Sequence, residues 1–212
     1  MEYPIRTRPT AGKITEEVLN STIHGLGAIA GIVGLIIGMV NMTGPANVRI
    51  GFIVYGVSLI LLMTMSSLYH ALYFSRAKAV LQKLDHSSIL LLIAGSYTPF
   101  VLYLFSGWLM VTMLVFVWSI AVMGIVIKTA MPVTSKRVGS WLYIGFGWLA
   151  IVLIPRLSHL DAETVVLLAS GGLLYTLGAG IMAFKKPFTH LGWHFMVVLA
   201  ACLHYFAIIN LG

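Results

Sequence analysis

The chain has 212 residues, 59% of them hydrophobic and 9% charged, where a soluble domain carries roughly 25% charge. With a mean hydropathy of +0.98, this composition excludes an ordinary soluble domain and marks a polytopic membrane protein. The net charge of +7 would point to nucleic acid in a soluble chain. Here the basic residues sit in short clusters between apolar runs, which is a topology signal, so no nucleic-acid partner is expected.

In chain order, residues 1–17 read as a polar tail, and the apolar run behind it is long enough for a full span. Ala28-Ile29-Ala30 loosely resembles a signal-peptidase site, but apolar sequence continues past it and no cleaved signal is expected. Seven spans are predicted, at 18–40, 50–73, 84–104, 108–128, 139–155, 162–183 and 189–211. Most reach the roughly 20 residues needed to cross about 30 Å of hydrocarbon, and the fifth is short. The expected fold is therefore all-α, a seven-helix transmembrane bundle forming a single domain over 1–212.

Thr43-Gly44-Pro45, Ser106-Gly107, Met131-Pro132, Ile154-Pro155 and Lys186-Pro187 are read as helix breaks. Gly27-x-x-x-Gly31 and Gly34-x-x-x-Gly38 form small-residue seams for close helix packing in the first span. Pro99 is expected to kink the third span and free carbonyls upstream. Trp108, Trp118, Trp141, Trp148 and Trp193 lie mostly toward span ends and read as interfacial anchors. Cys202, the single cysteine, lies deep in the last run, so no intramolecular disulfide can form and packing is its expected role.

Eleven of the 13 Lys and Arg residues fall in the tail (Arg6, Arg8, Lys13), the second loop (Arg76, Lys78, Lys83), the fourth (Lys128, Lys136, Arg137) and the sixth (Lys185, Lys186). Only Arg49 and Arg156 fall elsewhere. The positive-inside rule then puts the amino terminus in the cytoplasm and the carboxy terminus outside, in the cell inner (plasma) membrane.

The polar residues are few enough to weigh singly. Of six acidic residues, Glu2, Glu16 and Glu17 fall in the tail, and Asp161 and Glu163 in the last external loop. Asp85, at the cytoplasmic start of the third span, is the exception, since an ionisable group in hydrocarbon costs a few kcal/mol unless paired; the plain alternative is a carboxylate at the surface beside Lys83. His70 ends the second span with Ser66 one turn deeper on the same face. His190 and His194, four residues apart, share a face at the start of the seventh. All stand at one membrane depth on one side.

Three imidazoles with an open position are the ligand set of a catalytic zinc site, so His70, His190 and His194 are the candidate Zn2+ ligands. Leu191 follows the first histidine where His-Glu-x-x-His would place a base, which leaves Asp85 as the intramembrane carboxylate for that task and Ser66 to hydrogen-bond water or a substrate carbonyl. A Ser66-His70-Asp85 nucleophilic triad competes, but it leaves His190 and His194 unexplained. His204 lies ten residues, about 15 Å, beyond His194 and reads as a core hydrogen-bonding residue. His24 and His86 read as cavity-lining or supporting residues, and His159 as a loop residue.

Ser66-x-x-x-His70, Leu84-Asp85-His86-Ser87 running into Gly95-Ser96-Tyr97-Thr98-Pro99-Phe100, and His190-x-x-x-His194 followed by His204 resemble the hemolysin III family, the bacterial branch of the progestin and adipoQ receptor (PAQR) family. Glu16-Glu17 leading to Thr22-Ile23-His24-Gly25 looks like the bacterial branch in particular. The resemblance covers nearly the whole chain and implies a seven-helix protein of the CREST superfamily, which includes alkaline ceramidases. By similarity to the adiponectin receptors, His70, His190 and His194 match the zinc ligands, and Asp85 and Ser66 match the polar partners near the bound water.

Three functions are consistent with this reading. The first is a zinc-dependent hydrolase of a membrane-lipid amide or ester, linked to membrane-fluidity homeostasis. The second is a non-enzymatic, zinc-stabilised sensor or receptor-like protein, and the third a lytic, pore-forming hemolysin.

Overall fold

The computed structural model describes residues 9–130, 136–184 and 186–212. Glu2, Arg6, Arg8, the Met131-Pro132 break and Lys185 lie outside the described residues, as do the side chains of Lys136, Arg137 and Trp141. The helices are α1 (Ala11–Asn41), α2 (Ala46–Ala71), α3 (Lys78–Leu104), α4 (Gly107–Ala130), α5 (Lys136–Trp148, continued by a 3-10 helix Leu149–His159), α6 (Ala162–Ile181, ending in a 3-10 turn Met182–Phe184) and α7 (Thr189–Ile209). All seven regions are long and apolar enough to cross a membrane, and the described residues contain no strand.

Several boundaries differ from the sequence reading, α3 beginning at Lys78 instead of residue 84 among them, and two of the differences have a local physical cause. The expected tail is helical from Ala11, because the Thr10 side chain caps the helix by accepting from the Lys13 N–H at 3.3 Å. α1 has 31 residues, about 46 Å at 1.5 Å per residue, so its first turns carry Lys13, Glu16 and Glu17 on the helix itself. The break expected at Ile154-Pro155 does not occur there. Pro155 has no N–H for the preceding turn, and the chain tightens from α to 3-10 geometry at Leu149 and stays helical to His159.

α2 and α3 pack most extensively on each other and are the most buried helices. α1 lies against α2 and α7, α4 against α3, and α6 against α7. The outward faces are apolar, for example Leu26, Ile29, Val33 and Val40 on α1, as expected of surfaces that meet lipid. α2 and α3 cross closely at Gly51 and Pro99, where a Cβ on Gly51 would stand 2.5 Å from Pro99 Cα. α3 runs through Pro99 as one helix, and absence of a side chain on the facing glycine lets the proline ring sit against the α2 backbone.

The seams of α1 divide their work. Gly27 and Gly31 face Met63 and Ile60 of α2, and Gly34 faces Tyr205 of α7, whose hydroxyl donates to the Gly34 carbonyl at 2.9 Å. Gly171 and Gly178 of α6 leave room for His204 and Trp193 of α7. Two tryptophans depart from the interfacial reading. Trp118 donates its indole N–H to Thr98 at 3.2 Å in the α3–α4 contact, and Trp193 packs on Gly178. Cys202 is also exposed on the outward face of α7 instead of packed inside.

Candidate metal centre

Antiparallel connection brings the start of α1, the end of α2 and the starts of α3 and α7 to one end of the bundle. Each helix there contributes polar residues at helical spacing. α2 supplies Ser66 and His70, one turn apart and both buried. α7 supplies His190 and His194, also one turn apart. The turn that delivers them reverses at Phe188, in the left-handed region with φ 61°, so that α7 starts at Thr189.

His70, His190 and His194 form a cluster in which one ring nitrogen from each lies within 4.8 Å of the others. His70 Nε2 and His194 Nε2 are 2.9 Å apart, and the His190 ring centroid is 4.5 Å from that of His194. His70 and His194 are buried, and His190 is half-buried. Three imidazoles converging from two helices are a donor set suited to a first-row divalent metal, zinc among them.

Asp85, on α3, is buried beside Ser66 and in electrostatic range of His70. It is not partnered by Lys83, whose ammonium donates to the Thr129 carbonyl at 2.7 Å; the alternative of a surface carboxylate paired with Lys83 is therefore set aside. Ser66 Oγ is buried with no hydrogen-bond partner. Both ring nitrogens of His70 face other groups, Glu17 and His194, so none is left to activate Ser66 and the triad geometry is not formed.

The residue that sequence reasoning missed is Glu17. Hydropathy places it in the tail with Glu16, yet it is only 3% exposed; Oε2 lies 2.5 Å from His70 Nδ1 and Oε1 lies 2.7 Å from Lys13 Nζ. Asn20 and His24 continue the same face of α1, both buried, and His24 Nε2 lies 2.9 Å from His194 Nδ1. A signal was present in the sequence. Glu17, Asn20 and His24 are spaced i, i+3 and i+7, a polar stripe on one face of α1, but a helix start placed at residue 18 cuts off its first member.

The remaining histidines lie apart from the cluster. His204 donates from Nε2 to the Leu168 carbonyl at 3.3 Å and stacks edge-on to Tyr175. His86 lies next to Asp85, with its carbonyl accepting from the Tyr143 hydroxyl at 3.0 Å. His159 is exposed at the end of its 3-10 helix.

Around the cluster, five buried polar atoms have no partner: Asn20 Nδ2 and Oδ1, His24 Nδ1, Ser66 Oγ and Ser87 Oγ. Such atoms are costly in hydrocarbon, and their grouping at one end fits a site that takes up water or a polar ligand group.

The family model described as haemolysin-III related matches residues 13–205. Over 200 residues the chain is 38% identical to Hemolysin-3 of Bacillus cereus, covering 92% of this chain and 91% of that protein. It is 37% identical over 201 residues to the Hemolysin-3 homolog of Bacillus subtilis, with coverages of 92% and 94%. A more distant relative is the human monocyte to macrophage differentiation factor, 27% identical over 212 residues, with 96% and 86% covered.

Proposed function

The chain belongs to the haemolysin-III related family, and from that premise we propose that it is a zinc-dependent hydrolase of the inner (plasma) membrane that cleaves an amide or ester bond of a membrane lipid. The reading is carried by one observation, the convergence of His70, His190 and His194 beside a buried carboxylate and a group of unpartnered polar atoms. These residues suit the metal, since His70 is held at Nδ1 by Glu17 and keeps Nε2 for coordination. When bound, zinc supplies Lewis-acid activation of a carbonyl and of water near neutral pH.

The chain's own residues divide the rest. Asp85 accepts the proton of the attacking water and returns it to the leaving nitrogen or oxygen, since the other buried carboxylate at this end, Glu17, is already held by Lys13 and His70. Ser66 Oγ–H donates to the substrate carbonyl oxygen, a bond that strengthens as negative charge develops there. The lipid would reach the site laterally from the inner leaflet, whose acyl chains meet the apolar outer faces of the bundle. Lys13, Lys78, Lys83, Lys128 and Lys186, all at the cluster's end of the helices they belong to or adjoin, support a cytoplasmic location for the site.

The test is lipid turnover by protein reconstituted in nanodiscs of native lipid, read by mass spectrometry, alongside metal content. Wild type should hold about one zinc per chain and release fatty acid. Asp85→Asn should keep the metal and lose turnover, and His194→Ala should lose both. Metal without turnover in any lipid would favour a zinc-tied sensor, a reading that the burial of His70 and His194 also supports. Release of a liposome-entrapped dye that survives metal removal would favour the lytic activity named in the Bacillus cereus relative.

A further inference from the structure

We propose that Glu17 is the positioning residue of the metal centre: its carboxylate holds the His70 Nδ1–H so that Nε2 faces the metal, making α1 the outer wall of the site. The assignment rests on the metal reading above and extends it to a helix that supplies no ligand.

Burying a carboxylate among helices that face lipid is costly unless it is paired. Glu17 is paired twice, to Lys13 Nζ at 2.7 Å and to His70 Nδ1 at 2.5 Å. Its helical neighbours Val18 and Leu19 are exposed on the apolar surface, so the burial of Glu17 is specific to its face. An ionised carboxylate only accepts hydrogen bonds, which places the proton on Nδ1 and the lone pair on Nε2. That nitrogen points into the cluster, 2.9 Å from His194 Nε2.

The same logic applies one turn deeper. If His194 coordinates through Nε2, its Nδ1 carries a proton and donates to His24 Nε2 at 2.9 Å. Two of the three ligands thus have their far nitrogen fixed from α1. Metal-bound histidines generally donate this second N–H to a carboxylate or another acceptor, which sets the tautomer, orients the ring and raises its basicity. Glu16, in the same turn, pairs among the described residues with Lys13 alone and is more exposed, so it serves as a control of equal charge.

The competing role for Glu17 is a salt bridge that ties down the start of α1 without influence on the metal. The two roles separate in zinc affinity, measured on full-length protein in detergent by chelator competition, and in the d–d absorption of the cobalt-loaded protein. Glu17→Leu, an apolar replacement compatible with burial, should raise the zinc Kd roughly 10- to 100-fold and shift the cobalt bands. Glu17→Gln should raise it less, because the amide oxygen still accepts from Nδ1–H. Glu16→Gln should stay within about twofold of wild type, since it does not touch His70.

Wild-type zinc affinity and unchanged cobalt bands in folded Glu17→Leu, or in Glu17→Ala should the leucine variant not fold, would overturn the assignment while leaving the metal centre standing. Failure of the wild-type protein itself to bind zinc would remove both.

Discussion

The two ends of the bundle solve the same problem in opposite ways. At the end away from the metal-site histidines, the polar groups around α2 are matched and backbones are in contact. Asn47 donates to the Leu102 carbonyl at 2.7 Å, Tyr55 to the Ala201 carbonyl at 2.6 Å, and Thr43 reaches the Gly212 carbonyl. Gly51 lies on Pro99 and Gly44 on Gly212 with no room for a side chain. At the histidine end, Asn20, His24, Ser66 and Ser87 are equally buried and leave five polar atoms unpartnered. Two further such atoms, Tyr175 Oη and His204 Nδ1, lie between α6 and α7. Hydrocarbon penalises unmatched polarity at either end, so one end reads as scaffold, and the cost borne at the other is what the proposed metal and lipid binding would account for.

The comparison breaks most sharply at Gly51. Gly51→Ala puts a methyl group against Pro99 backbone, which cannot swing aside as a side chain can. Separation of α2 from α3 should cost about 2–3 kcal/mol, read as a fall in thermal stability in detergent. Zinc binding should persist below the lowered melting temperature, because the crossing is remote from His70. A neutral Gly51→Ala would show that this end is not tightly packed.

A pair of polar-to-apolar changes sharpens the contrast. Asn20→Leu removes a donor and an acceptor that have no partner, and should stabilise the metal-free protein by about 1–2 kcal/mol. Tyr55→Phe removes a made hydrogen bond in the tight end and should destabilise by about 0.5–1 kcal/mol. Opposite signs are the expected outcome. If both variants lose stability to the same degree, the unpartnered state of Asn20 is not a cost borne for binding, and the contrast between the ends fails.

Most of this architecture was legible in the sequence, for a physical reason. Seven apolar stretches separated by Gly, Pro and basic clusters admit little except spanning helices, and the hemolysin III resemblance read from Ser66, His70, Asp85 and the α7 histidines agrees with the family found. The histidine pairs at i, i+4 could be read because helical periodicity is local. Glu17 could not, because its role depends on where α1 starts, and Thr10 capping extends that helix past the point where hydropathy alone would begin it. The partner of Lys83 was also hidden: the choice between Asp85 and the Thr129 carbonyl is a contact between α3 and α4, invisible to spacing within one helix. Trp118 was misread for a similar reason, since its Thr98 acceptor lies on the neighbouring helix.

The smallest effect is expected at the surface of the tight end, where Asp161 caps α6. Its carboxylate accepts from the Thr164 N–H at 2.7 Å and from the Thr164 hydroxyl at 2.9 Å. The backbone bond above all, and then the hydroxyl, hold the carboxyl below its ordinary value of 3.8. A depressed folded-state value means that the cap contributes fully above the unfolded value and fades as pH falls through the lower folded one. Asp161→Ala removes the cap at every pH. The melting temperatures of wild type and variant should therefore differ by a small, constant amount at neutral pH and begin to converge only below pH 3.8. Convergence already at about pH 6 would assign the difference to another group, whereas a gap unchanged in strong acid would mean that the charge of Asp161 plays no part in the cap.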